Sequence, residues 1–208
     1  MKPLTGHNYH PDAMRRFNRD VEEHQMEVLL DQGLYRHVRF KKPGTGMYYF
    51  DLITTPGQLT IRSDMGTYVF SRAADMFEFF TGNGYVNADY WGEKLQAIDT
   101  HCGYRDHSEE AFRKWVIGHF WNRRESYEPN VAAQIWADIR DSIFDDYTDR
   151  TSKSACIDAL DSFQSHGFRY GDTWDNDWTE FSYQYLWCCH AILSGIKNYY
   201  AAKADADV

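Results

Sequence analysis

The densest gathering of reactive side chains is residues 99–110, DTHCGYRDHSEE, in which His101 and His107 alternate with Asp99, Asp106, Glu109, Glu110 and the thiol of Cys102. A histidine within hydrogen-bond reach of a carboxylate can act as general acid or base, and together with Asp106 it would hold a divalent cation. The chemistry that set could do is metal-dependent hydrolysis, as a nuclease or other hydrolase. The plainer expectation is a linker between two helices, with acids at the start of the second and the histidines solvated. No motif argues for catalysis. The chain has no GxSxG elbow, HExxH helix or calcium loop, and Gly44, Gly46, Gly57, Gly66, Gly82 and Gly84 fall at turns rather than in a phosphate-binding loop. His7, His10, His24, His37, His119, His166 and His190 are scattered and read as structural or exposed, and Cys102, Cys156, Cys188 and Cys189 lack the CxxC spacing of zinc or redox sites. No catalytic residue, metal or cofactor is therefore assigned, and the expectation is a protein that is not an enzyme.

Two acidic tracts carry more. Asp138, Asp141, Asp145, Asp146 and Asp149 are spaced so that on a helix Asp138, Asp141, Asp145 and Asp149 would share much of one face. Asp172, Asp175, Asp177 and Glu180 follow, interleaved with Trp174 and Trp178, which joins negative charge to aromatic anchors of the kind enriched at protein interfaces. Carboxylates held on a rigid surface can stand in for DNA phosphates and occupy a basic channel. The candidate partner-binding residues are thus Asp138, Asp141, Asp145, Asp146, Asp149, Asp172, Trp174, Asp175 and Asp177. The charge distribution agrees with them. Of the formal net charge of −9, residues 1–50 contribute 8 Lys and Arg against 6 Asp and Glu, whereas 51–208 contribute 14 against 25. That field disfavours direct contact with nucleic acid and favours basic partners, although acidity also simply keeps a protein soluble. The opposite possibility is a module for single-stranded nucleic acid built on Arg36, Arg39, Lys41, Lys42 and Arg62 beside Tyr48 and Tyr49, but it lacks an RNP-like aromatic pattern.

Periodicity along the chain predicts the secondary structure that carries these residues. The chain has 208 residues, with 43% hydrophobic and 17% aromatic content, enough for a substantial core. No apolar run approaches the roughly 20 residues that span a bilayer, and the first residues do not resemble a signal peptide, so a cytoplasmic protein without membrane contact is expected. Residues 11–30 predict a helix with Met14, Phe17, Val21, Met26, Leu29 and Leu30 near helical spacing, stopped at Gly33. Strands follow at 34–42, 47–55, 58–63 and 67–71, separated by the turns PGTG, PG and DMG. Alternation puts Tyr48, Phe50, Leu52, Leu59 and Ile61 on the covered face and Arg39, Lys41, Asp51 and Arg62 elsewhere.

From Ala73 onward the pattern is helical. Helices are predicted at about 87–98 with Asn87 as cap, 109–124 after Ser108, from Asn130 with Ile135, Ile139 and Ile143, from Ser152 or Ser154, and from Trp178 to Ala202. The expected fold class is α+β: an N-terminal helix, a four-stranded antiparallel β-meander and a mostly helical C-terminal half. Residues 1–100 and 101–208 form its two regions, packed as one compact unit.

The words PGQLTIRSDMGTYVFSRAADMFEFF at 56–80 and NADYWGEKLQAID at 87–99 resemble a family of uncharacterised bacteriophage and prophage accessory proteins, over roughly residues 36–100. The resemblance is one of fold signature and brings no catalytic motif. It implies a phage protein acting in the bacterial host cell against defence systems, of the anti-CRISPR or anti-restriction kind. Its partner would be a host defence effector or complex, blocked through the acidic and aromatic surface, and paired sheet edges leave a homodimer open.

Overall fold

In the computed structural model, residues 1–4 and 9–206 are described; His7 lies outside them. The elements run α1 (Pro11–Asp20), β1 (Gln25–Gln32), β2 (Tyr35–Lys41), β3 (Phe50–Thr55), β4 (Gln58–Ser63), β5 (Gly66–Ser71), α2 (Met76–Thr81), α3 (Ala88–Gly92), β6 (Leu95–Ile98), β7 (Arg105–His107), α4 (Glu109–Arg123), α5 (Pro129–Ser142), α6 (Lys153–Ser162), β8 (Thr179–Phe181) and α7 (Tyr183–Ala206). The class is α+β, but the sheet is a six-stranded antiparallel meander, β1 to β6 in order, rather than four-stranded. The two extra strands replace predicted helix. The chain leaves α1 at Asp20, turns through Val21–His24, and pairs Gln25 with Lys41 through Gln32 with Tyr35, so Gly33, at φ 63°, is a hairpin turn and not a helix stop. At the other edge α3 ends at Gly92 and Leu95–Ile98 pair with β5.

Two compact units result, Met1–Tyr104 with Phe181–Val208, and Arg105–Glu180. The last helix therefore belongs with the sheet, across the expected division at residue 100. In the first unit one sheet face, carrying Val38, Phe40, Phe50, Leu52, Leu59, Ile61, Tyr68 and Phe70, is buried with Phe17 of α1, Phe77 of α2 and the middle of α7. The predicted alternation holds for Phe50, Leu52, Leu59 and Ile61. Tyr48 precedes β3, at φ 57°, and packs at the core edge. Burial of these rings and branched chains, each worth about 1.5–3 kcal/mol, is what holds the sheet.

The second unit packs Phe112, Val116 and Phe120 of α4, Ile135 and Ile139 of α5, and Cys156 and Leu160 of α6 around Phe168 and Trp178. Its helix starts follow their caps: Ser108 Oγ accepts from Ala111 N–H at 3.0 Å and Ser152 Oγ from Ala155 N–H at 3.2 Å. α5 instead begins with Pro129 at its first position, where the missing N–H costs nothing, so Asn130 is not its cap. Trp178 is not the start of the last helix; it is buried against Phe112, ring centroids 5.0 Å apart. Among the described residues no helix is long and apolar enough to cross a membrane.

Candidate functional site

The acidic tracts both fall in the second unit. α5 buries Ile135 and Ile139, which leaves Asp138 half-buried and Asp141 exposed. The helix stops at Ser142. Beyond it the chain wraps the buried guanidinium of Arg150, whose Nη1 donates to the carbonyls of Ile143, Asp145 and Thr148 at 3.0, 2.7 and 2.9 Å while Nε donates to Glu109 at 2.8 Å. Asp145, Asp146 and Asp149 consequently lie on a loop, and the predicted single helical face of Asp138, Asp141, Asp145 and Asp149 is not formed. A buried arginine needs acceptors for its donors, and the carbonyl of the C-cap residue Ile143, two loop carbonyls beyond it and Glu109 supply them.

The loop carboxylates have different tasks. Asp145 Oδ1 accepts from Thr148 N–H at 2.9 Å, and Asp149 Oδ1 accepts from the N–H and hydroxyl of Thr151 at 2.9 and 2.8 Å. Those bonds from Thr148 and Thr151 lower both carboxyls below their ordinary range. Asp146 is exposed, and Tyr147 beside it is 97% exposed, an aromatic that sequence reading passed over although four aspartates surround it. Asp138 accepts a short 2.5 Å bond from Ser165 Oγ.

In the second tract Asp172 adopts the left-handed conformation, φ 52°, and opens a short 3-10 turn. Thr173 turns inward and its hydroxyl donates to Asp161 of α6 at 2.8 Å, while Trp174 points out, 67% exposed, with Asp175 and Asp177 also exposed. α6 links the two tracts. Its Ala159 and Ser162 share a shallow cavity of about 370 Å³ with Asp138 and Thr148, and its Asp161 holds the turn that presents Trp174. The second unit carries 9 Lys and Arg against 16 Asp and Glu, so −7 of the −9 net charge resides in residues 105–180.

No protein-family model, curated protein or solved structure matches this chain.

The connector at 99–110 is divided between the units. His101 is exposed, its N–H donating to Asp99 at 2.9 Å, and Asp106 is exposed on β7. His107 Nε2 donates to the Arg150 carbonyl at 2.9 Å and stands 3.7 Å from Cys156 Sγ. Burial pushes the Cys156 thiol up to about 11, which makes it a protonated core group rather than an activated nucleophile. Among the described residues no group of three or more His, Cys, Asp or Glu side chains could hold a metal ion.

The basic residues of the sheet are also separated. Arg36 lies on the covered face, where it donates to both oxygens of Asp75 at 2.8 and 2.7 Å and stacks on Phe77. Arg39 and Arg62 lie on the opposite face, both donating to the fully buried Asp51 carboxylate, with His37 Nε2 3.2 Å from it. Their charge is spent within the sheet. Lys42 pairs with Glu23 at 2.6 Å.

Proposed function

We propose that this protein is a non-enzymatic interaction module whose acidic second unit docks on a basic protein surface, and that it acts as a phage-encoded, anti-CRISPR-like inhibitor of a host defence nucleoprotein complex. The observation that carries the reading is the concentration of −7 net charge in one small unit that also exposes Trp174 and Tyr147 among its aspartates. Exposed carboxylates on a fixed frame attract a basic groove over long range and occupy phosphate positions, while rigid aromatic rings supply desolvated contact area. The anti-defence role rests on the resemblance over residues 36–100.

The test is recovery of partners by the tagged protein from host lysate, with and without nuclease, followed by salt-dependent binding of purified variants. Asp141, Asp146 and Asp175 are the residues to reverse, because they are exposed and, unlike Asp145 and Asp149, hold no turn together. Nuclease-resistant recovery of a defence effector, weakened by Asp141→Lys, Asp146→Lys and Asp175→Lys and by added salt, is the expected result. Undiminished binding by the triple variant would remove the mimicry reading.

A further inference from the structure

A second site lies in the first unit and is independent of the acidic surface. The end of α1, the turn after it and the loop between β2 and β3 enclose an open cavity of about 560 Å³, within the range of small-molecule sites. Its frame is built rather than incidental. Tyr48 is held at φ 57°, a conformation that non-glycine residues avoid, by two fixed bonds: its N–H donates to Asp64 at 2.7 Å and its carbonyl accepts from His24 Nε2 at 2.9 Å. His24 is itself buried, and its Nδ1 has no hydrogen-bond partner among the described residues. Asp20, whose side chain is only 4% exposed, accepts from Trp187 Nε1 and the Tyr183 hydroxyl at 3.2 and 3.3 Å and from Arg19 at 3.1 Å.

The charges around the cavity come in two opposite pairs, Arg19 with Asp20 and Lys42 with Glu23. Burial lowers the His24 imidazole below its ordinary value, so it adds no charge at neutral pH. Pro43, Met47 and Tyr48 supply an apolar wall. At the mouth Lys42 and Glu23 are about half and two-thirds exposed, and an ion pair so solvated contributes little, so a ligand can open it at small cost. A single-sign ligand would leave one member of that pair facing a like charge. A molecule bearing both signs satisfies each.

We infer that this cavity binds a small zwitterion of the amino-acid type, its carboxylate on Lys42 and Arg19, its ammonium on Glu23, and an apolar side chain against Met47 and Tyr48. The probes are L-phenylalanine and L-methionine, titrated into the full-length protein with the Met47 methyl and His24 ring resonances followed by NMR. N-acetyl-L-phenylalanine and L-phenylalanine amide each remove one ligand charge. Saturable shifts with a free amino acid, weakened at least about tenfold by either blocked form and by Lys42→Glu or Glu23→Lys, support the site. Both variants alter exposed side chains, and circular dichroism checks that they fold. The inference is overturned if neither amino acid gives saturable shifts up to about 10 mM, if the blocked forms bind as well as the free one, or if the folded variants bind unchanged.

Discussion

Gly195 of α7 crosses Leu52 of β3 so closely that a Cβ on the glycine would stand 2.7 Å from Leu52 Cδ1, with Phe40 and Phe50 ring atoms at 3.1 Å. The longest helix and the centre of the sheet are thus packed backbone to side chain, and a methyl at this point must displace the Leu52 side chain and two aromatic rings. Gly195→Ala is expected to destabilise the fold by about 1–3 kcal/mol despite alanine's better helix propensity. Urea unfolding of Gly195→Ala, Leu52→Ala and the double variant should show a favourable coupling of about 1 kcal/mol or more, because the smaller side chain makes the space that the new methyl needs. Additive losses would mean that the two do not compete for one volume.

The Asp51 carboxylate organises the open face of the sheet through Arg39 and Arg62, which the alternation had correctly placed off the covered face. Burial alone would raise this carboxyl, yet the bonds from Arg39 and Arg62, with His37 Nε2 3.2 Å away, hold it down at about 2. Asp51→Asn keeps the shape and removes the charge, leaving two guanidinium groups without a counter-ion. A loss of about 2–4 kcal/mol in thermal or chemical unfolding is expected, much more than for an exposed pair such as Lys114 with Glu110. Equal effects at the two sites would contradict the assigned roles.

Acid stability should fall in two windows. Burial lowers the His190 imidazole to about 4, from an ordinary 6.5. Between those values the unfolded chain takes up a proton that the folded protein does not, so the His190 contribution is complete above pH 6.5 and is lost as pH falls toward 4, by about 3 kcal/mol. Asp51 acts lower: its contribution is complete above 3.8 and is lost as pH falls through about 2. Unfolding free energy measured from pH 7 to 4 should show a slope that His190→Leu reduces. An unchanged slope would assign the acid sensitivity to other groups.

Legibility in the sequence followed how local each determinant was. The hairpins from Tyr35 to Ser71 are readable because alternation and tight turns occur together, and the helix starts at Ser108 and at Ser152 or Ser154, of which Ser152 is the cap, are readable because a cap acts within three residues. β1 is not. Seven of its eight residues are exposed, so the strand shows no alternation, and its pairing with β2 overrides a spacing that suits a helix. β6, at four residues, is too short to show any period. Asp141, Asp146, Trp174, Asp175 and Asp177 are on the surface as their polarity and setting suggested. The supposed stripe failed at Ser142 because its end is set by Arg150, a residue seven positions beyond Ile143 whose burial no local pattern announces.

The Arg150 side chain is buried beneath its own loop. Its guanidinium joins three loop carbonyls and Glu109 of α4, so the loop bearing Asp145, Asp146, Tyr147 and Asp149 is shaped from beneath by one planar cation. Arg150→Lys keeps the charge, but one ammonium on a shorter stem cannot serve both the three carbonyls that Nη1 holds and the Glu109 carboxylate that Nε holds. Some carbonyls are then left without a partner, at about 1–3 kcal/mol. Amide hydrogen exchange should quicken across residues 143–151 while the interior of α4 stays protected, and binding of any basic partner should weaken although no surface carboxylate has been changed. Arg150→Met, which removes the charge as well and leaves Glu109 with Arg113 alone, should lose more stability than Arg150→Lys. If exchange in the loop is the same in both variants as in the native protein, the loop is held by its Thr148 and Thr151 turns and not by Arg150.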